Sequence, residues 1–400
     1  MECKSLNDCF RGYLKEIEVS QEVKETLEDA RLKIKRALTD GIGERTAQEG
    51  NRVVPRFMRQ GSAGYKTQNM PCFPPAQQVD FDYGCYLPLS YHEDESEPRE
   101  AANDFFDMVD SILKPLAKAN GWTAERGKKS YCLTLSDEIH FDVPLYSVPD
   151  KEFQKIRDMR PVNESAQGST FAACDEQEER DLDWDDLPTK SVMLAYREDN
   201  GLYSWKKSDP RLLNLYFMNK DDDDRAIYRI LKGWRDFNFQ DGKGPSSIFL
   251  MSLAEKANTN DSFTDDISAE LMKVLRFIKS MALPDDDEVS VENPADPREG
   301  IKCPTEKFKV LQSLAVGFAS AIAGNMDPSD AARSQAVQRH LGKRFPVIKD
   351  SVQINRRGAN PTRAWLMGSV TPSNPCCASA NAARASVVNR ALPSISLPPR

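Results

Sequence analysis

The chain has 400 residues, with 54 Lys and Arg against 62 Asp and Glu, a net charge of −8 and 40% apolar residues. These values describe a globular chain of one large or two ordinary domains and exclude a fibre or a coiled coil. No stretch approaches the roughly 20 apolar residues of a membrane-spanning helix, so no membrane partner is expected. Nine Cys without a CxxC pair, and only His92, His140 and His340, exclude a His-rich metal centre. The expected metal is a hard cation on carboxylates. The N-terminus carries no apolar signal core, so a cytoplasmic chain with reduced thiols is expected.

Residues 1–43 read as helical. Val23, Leu27, Ala30, Ile34 and Ala37 recur at helical spacing, and Gly41 is a plausible stop. After Gly61-Ser62 the pattern changes to alternation over Val79–Leu87, with apolar residues at odd positions and Asp80 and Asp82 at even ones. A helix follows over 98–119, with an apolar stripe of Phe105, Phe106, Val109, Ile112 and Leu113 and a bend expected at Pro115. A second alternating strand spans Ile139–Tyr146. The acidic run Asp175–Asp186 reads as a solvated loop. Helices are expected from Asp209-Pro210, over Arg225–Phe237, over Ile248–Lys256 after Gly244-Pro245-Ser246-Ser247, over Asp265–Met281, and again from Lys307. Residues 284–304 read as irregular. The last 45 residues hold six Arg and no Asp, Glu or Lys, and their composition predicts disorder. Without that tail the remainder carries −14, a poor prior for a required nucleic-acid partner.

The chemistry concentrates in the strands. Asp80 and Asp82 stand two residues apart, so their side chains share a face, roughly 7 Å apart along the backbone. Asp142 has the matching polar parity in the second strand, together with His140. If these strands are neighbours, three carboxylates converge. Their mutual repulsion then raises at least one pKa unless a divalent cation intervenes. Gly61-Ser62 offers backbone N–H groups and a hydroxyl to phosphate. A D-x-D pair alone more often marks a solvated sheet edge, and Gly-Ser alone is common. The ordered set is the specific signal.

That set, with "PRFMRQGSAGYKTQN" (55–69), "QVDFDYGCYLPL" (78–89), "HFDVPLYSVP" (140–149), "SWKKSDP" (204–210), "LKGWRD" (231–236) and "GPSSIFLMSL" (244–253), resembles the polymerase-beta type of nucleotidyltransferase. Within that superfamily it is similar to bacterial cyclic-oligonucleotide synthases, relatives of the animal cyclic GMP-AMP synthase, in the branch first known from Vibrio. The resemblance covers about residues 50–300. It implies an α/β (α+β) fold, with a core built on a mixed or antiparallel sheet and a mostly helical C-terminal lobe. The implied boundaries are 1–200 for the core with its N-terminal helices, 201–355 for the helical lobe and 356–400 for the tail.

By the same resemblance, ATP and GTP would be joined through 3′–5′ bonds into cyclic GMP-AMP with release of pyrophosphate. Another cyclic di- or trinucleotide, or addition to an RNA or small acceptor, is the alternative. Asp80, Asp82 and Asp142 would be catalytic and hold Mg²⁺ or Mn²⁺. Gln60, Gly61, Ser62, Tyr65, Lys232, Ser247 and Asp296 would contact nucleotide. Several of these have plainer readings: Lys232 as a solvated lysine, Ser247 as an N-cap and Tyr65 as a core tyrosine. The resemblance also implies antiphage signalling through a product-activated effector protein, and a ubiquitin-transfer-like enzyme acting on the C-terminus. One departure is visible. The strand before Asp142 reads Ser130-Tyr131-Cys132-Leu133, without the basic residue the family often carries there.

Overall fold

The computed structural model describes residues 3–48, 50, 52–89, 102–149, 192–258, 262–325 and 327–349. The acidic run Asp175–Asp186 and the tail 356–400 lie outside them. Two helices open the chain, α1 (Leu6–Glu16) and α2 (Gln21–Gln48). A capping box starts α1: Ser5 accepts from the Asp8 amide, and Asp8 accepts from the Ser5 amide. The expected helical span is therefore divided after Glu16, and Gly41 does not end α2. Gly41 serves close packing instead. A Cβ there would come within 2.8 Å of Ile112 in the long helix α4 (Ala102–Asn120).

The sheet is built from β1 (Arg56–Gln60), β2 (Val79–Leu89), β3 (Thr123–Arg126), β4 (Tyr131–Ser136), β5 (Ile139–Val143), β6 (Leu145–Pro149), β7 (Met193–Arg197) and β8 (Tyr203–Lys207). It is mixed. Strand β2 runs antiparallel to β1 and parallel to both β5 and β6. The expected single strand Ile139–Tyr146 is interrupted at Pro144, which has no N–H for the ladder. Both halves nevertheless keep one register against β2, with Asp82 opposite Asp142 and Cys85 opposite Leu145.

Parity divides the two faces of β2. Val79, Phe81, Tyr83, Cys85 and Leu87 are buried in a core shared with α2 and α4, which includes Leu27, Ile34, Phe106 and Leu113. The even positions Asp80 and Asp82 point the other way. Farther along that face, Tyr86 packs with Met58, Tyr146 and Val148 in a small separate cluster.

The later half supplies α5 (Arg211–Met218), α6 (Asp222–Asn238), α7 (Ser247–Ala257), α8 (Ile267–Ser280), α9 (Thr305–Ala323) and α10 (Asp330–Leu341). Its core gathers Trp234, Phe249, Leu271 and Phe318, and α1 joins it through Phe10 and Tyr13. Residues 284–304 are not irregular. They form an antiparallel hairpin, β9 (Glu288–Asn293) and β10 (Asp296–Pro304). Val289, Val291 and Asn293 are its buried alternate residues, a period-two signal set within acidic sequence. Among the described residues no helix is long and apolar enough to cross a membrane.

The buried charge of Arg31 locks α2 to the sheet. Its side chain is 0% exposed. It donates to both Glu28 carboxylate oxygens and, at 3.1 Å, to Tyr83 Oη on β2. Arg31→Ala would remove both contacts and leave a void between α2 and β2, although Glu28 keeps its bond to Arg59. We expect it to lower unfolding stability by about 3–5 kcal/mol in urea denaturation. Lys33→Ala, at a largely solvent-facing ion pair on the same helix, should cost under about 1 kcal/mol.

Candidate active site

The parallel register between β2 and β5 assembles the acidic set. Asp82 lies directly opposite Asp142, and Asp80 directly opposite His140. All four side chains therefore leave the sheet on the face not covered by α2 and α4. The His140 ring sits between two of the carboxylates, with Nδ1 3.7 Å from Asp80 Oδ1 and 3.8 Å from Asp142 Oδ2. Asp80 is the exposed member, while Asp82 and Asp142 are half-buried.

The repulsion expected from the sequence falls on Asp82. Burial, reinforced by the neighbouring charges of Asp142 and Asp80, pushes its pKa up to about 7. The same carboxylates act on His140. The Asp80 charge 3.7 Å away, together with Cys132 and Asp142, raises the imidazole to about 10, so it is a cation at neutral pH. Asp142 Oδ1 is buried with no hydrogen-bond partner among the described residues.

Gly61 opens the short helix α3 (Gly61–Gly64) with φ +58°. Only glycine adopts this conformation without strain, and a Cβ there would stand 2.1 Å from Asp82 Oδ2. The backbone thus passes against the carboxylate with no room for a side chain. Ser62 follows, its Oγ donating to the Asp80 carbonyl at 3.3 Å.

Asp80 and Asp82 border a cleft of about 200 Å³, whose lining does not include Asp142 or His140. Gly61, Ser62, Tyr65, Asp80 and Asp82 line one side, and Lys232, Arg235 and Ser247 line the other. Lys232 is not solvated. It is 5% exposed, and its Nζ donates to the Thr67 carbonyl at 2.6 Å. Desolvation lowers its pKa to about 8. It is buried because Leu231 and Trp234 anchor α6 in the helical core beside it. Ser247 is not the N-cap of α7. Ser246 fills that role, accepting from the Phe249 amide, and Ser247 Oγ instead accepts from Arg235 Nη1 at 2.9 Å. Tyr65 combines both of its readings, since it lines the cleft and also packs 5.4 Å from the Phe217 ring at 8% exposure.

Two expected contacts stand elsewhere. The Gln60 side chain runs along the sheet face beyond Asp82, where Nε2 donates to Tyr86 Oη at 2.6 Å and Oε1 accepts from Tyr146 Oη at 3.2 Å. It satisfies the buried tyrosine cluster and does not line the cleft. Asp296 begins β10 and is held by Arg298, whose guanidinium draws its pKa down to about 2. It too is absent from the cleft lining, because it stands at the turn of the β9–β10 hairpin.

Sequence reasoning missed Arg235. It lies three residues beyond Lys232, on a neighbouring position of the same helical face, and that spacing was a usable signal. It also missed the approach of Cys132, which pairs with Asp142 across the antiparallel β4–β5 ladder. A larger cavity of about 410 Å³ lies between α1, α8 and α10, where the charges lining it include the Arg333–Asp330 pair at 2.8 Å.

Residues 55–146 match the family described as "Cyclic GMP-AMP synthase DncV-like, nucleotidyltransferase domain". Residues 222–345 match "Cyclic GMP-AMP synthase, C-terminal domain". The chain is 34% identical over 257 residues to a cyclic GMP-AMP synthase of Vibrio cholerae, covering 60% of this chain and 55% of the relative. It is 31% identical over 290 residues to a cyclic GMP-AMP synthase of Escherichia coli, covering 67% and 64%. The chain thus spans between half and two thirds of the length of these relatives. In fold it is similar to the Vibrio cholerae DncV cyclic AMP-GMP synthase solved with the linear intermediate 5′ pppA(3′,5′)pG, with a TM-score of 0.65, 20% identity and coverage of 86% of this chain and 97% of that one. The two matched families together take in more than half of the sequence, one on the sheet that carries the aspartates and one on the helices that carry Lys232, so the chain belongs to the DncV-like nucleotidyltransferases.

Proposed function

We propose that this nucleotidyltransferase is a cyclic dinucleotide synthase that joins ATP and GTP through 3′–5′ bonds into cyclic GMP-AMP and releases pyrophosphate. The observation that carries the reading is the register pairing Asp82 with Asp142 and Asp80 with His140, at the edge of a cleft whose far wall holds Lys232 and Arg235. The donor set fits magnesium or manganese. It is all carboxylate oxygen, one oxygen of Asp142 is buried without a partner, and Asp82 is destabilised by the charges around it. Asp80, Asp82 and Asp142 would hold the ions. Bound there, the metal would lower the pKa of the attacking 3′-hydroxyl and offset the charge building on the leaving pyrophosphate.

The protein's own groups supply the rest. Asp142 is the candidate to accept the 3′-hydroxyl proton. The Lys232 ammonium and the Arg235 guanidinium oppose the triphosphate charge. The Ser62 and Ser247 hydroxyls donate to phosphate oxygens, and Tyr65 borders the donor base. A division of the chain near residue 200, into a catalytic core and a helical lobe, belongs to the same proposal.

The choice of second base has less support. Asp296 does not line the cleft, and the stretch Ser130-Tyr131-Cys132-Leu133 lacks the basic residue the family often carries before the third aspartate, so another cyclic di- or trinucleotide is the second reading. We further propose a role in antiphage signalling, through an effector that responds to the product and a ubiquitin-transfer-like enzyme that acts on the C-terminus. This rests on likeness to the family alone. Cytoplasmic location is proposed with it.

The purified chain given all four nucleoside triphosphates and Mg²⁺ should yield a phosphatase-resistant product with the mass of cyclic GMP-AMP. The combined Asp80→Ala and Asp82→Ala variant should yield none, and a product of another mass would favour the second reading. Gly61→Ala should keep its melting temperature within a few degrees yet lose at least 100-fold in turnover, because the added methyl displaces Asp82. Nucleotide affinity measured by calorimetry should weaken as pH rises past about 8, where Lys232 loses the charge that binds phosphate. Lys232→Met should lower affinity roughly tenfold or more at pH 7 and remove that pH step.

A further inference from the structure

We infer that Cys132, His140 and Asp142 form a site for a borderline-soft divalent cation, zinc, which silences the enzyme by withdrawing Asp142 from the magnesium-binding carboxylates. One ligand atom from each residue (the thiol sulfur, a ring nitrogen and a carboxylate oxygen) lies within 4.8 Å of the others. In a tetrahedral zinc site with metal–ligand distances of about 2.0–2.3 Å, neighbouring ligand atoms stand roughly 3.3–3.6 Å apart. The His140 Nδ1 to Asp142 Oδ2 separation of 3.8 Å is already close to that edge length. Small side-chain rotations close the remainder.

The backbone holds the three residues in place. Cys132 on β4 is paired with Asp142 on β5, and His140 lies two residues earlier on the same face of β5. Ligands fixed by a strand ladder need little ordering to bind. Three protein ligands leave the fourth tetrahedral position open, which makes the ion exchangeable. Entry is possible because the His140 and Asp142 side chains are 21% and 24% exposed.

The donor set differs from that of the magnesium site in one decisive respect. It includes sulfur. Thiolate and imidazole favour zinc over magnesium, whereas the Asp80, Asp82 and Asp142 oxygens favour the harder ion. The two sites share Asp142 and exclude each other. On binding, the Cys132 S–H bond is replaced by S–Zn and the imidazolium N–H of His140 by N–Zn, both protons pass to solvent and no electrons are transferred. His140 gives up its contact with Asp80. Inhibition depends on the role proposed above for Asp142, whereas binding does not.

Cobalt(II) provides the probe. The metal-free full chain titrated with Co²⁺ should bind one equivalent and develop a thiolate-to-cobalt charge-transfer band. Zinc should abolish the band, and a large excess of magnesium should not. Cys132→Ala and Cys132→Ser, each checked for native circular dichroism, should lose the band, and His140→Ala should weaken it. In the magnesium-supported assay, Cys132→Ala should tolerate at least tenfold more zinc than the wild type. A wild-type chain without the band, or a band that survives in Cys132→Ala and Cys132→Ser, would overturn the site. Zinc bound through Cys132 that leaves turnover unchanged would overturn the switch. A chain inactive on all nucleotides would instead overturn the proposed synthase activity, while the cobalt titration still tested the site.

Discussion

Three carboxylates held on one face of two parallel strands are a source of repulsion built into the fold. Asp82 sits directly across from Asp142, half-buried, where neither water nor distance relieves the charge. The surroundings act on that repulsion. His140 sits between Asp80 and Asp142 as a cation, Lys232 faces the set from the other wall of the cleft, and Gly61 lets the backbone approach Asp82 without a side chain. A face tuned in this way is poised for a divalent cation carrying phosphate, because such an ion removes the repulsion that the fold cannot.

The two walls of the cleft come from two differently built cores. On the sheet side, odd positions of β2 are anchored among Leu27, Ile34 and Phe106, which leaves the even positions no choice but to face the cleft. On the helical side, α6 is anchored by Leu231 and Trp234, and this holds Lys232 against the Thr67 carbonyl at the cost of part of its basicity. Both sets of functional side chains sit on regular elements locked by apolar packing. Their geometry is therefore carried by the cores themselves, as a site demanding sub-ångström placement requires.

Gln60 shows how adjacency in sequence can mislead. It neighbours Gly61, which touches Asp82, yet its own amide completes a buried pair of hydrogen bonds with Tyr86 and Tyr146. An unsatisfied amide among those rings would be costly, so the side chain turns away from the cleft. Ser246 and Ser247 divide their work in the same manner, one capping α7 and the next meeting Arg235.

Strand parity, helix spacing and the Gly-Ser turn were legible in the chain alone, because each follows from residues only a few positions apart. They placed Asp80 and Asp82 on one face and marked most helices, including the one that bears Lys232. Neither the burial of Lys232 nor the location of Asp296 could be read this way, since both depend on packing between elements far apart in sequence. The β9–β10 hairpin was obscured by its acidic exposed face, although Val289 and Val291 carried its alternation. The meeting of Asp142 with Asp82, and of Cys132 with Asp142, was decided by tertiary structure alone. Which strands lie side by side, and in what register, is set by the apolar faces they bury together, and no local pattern records that choice.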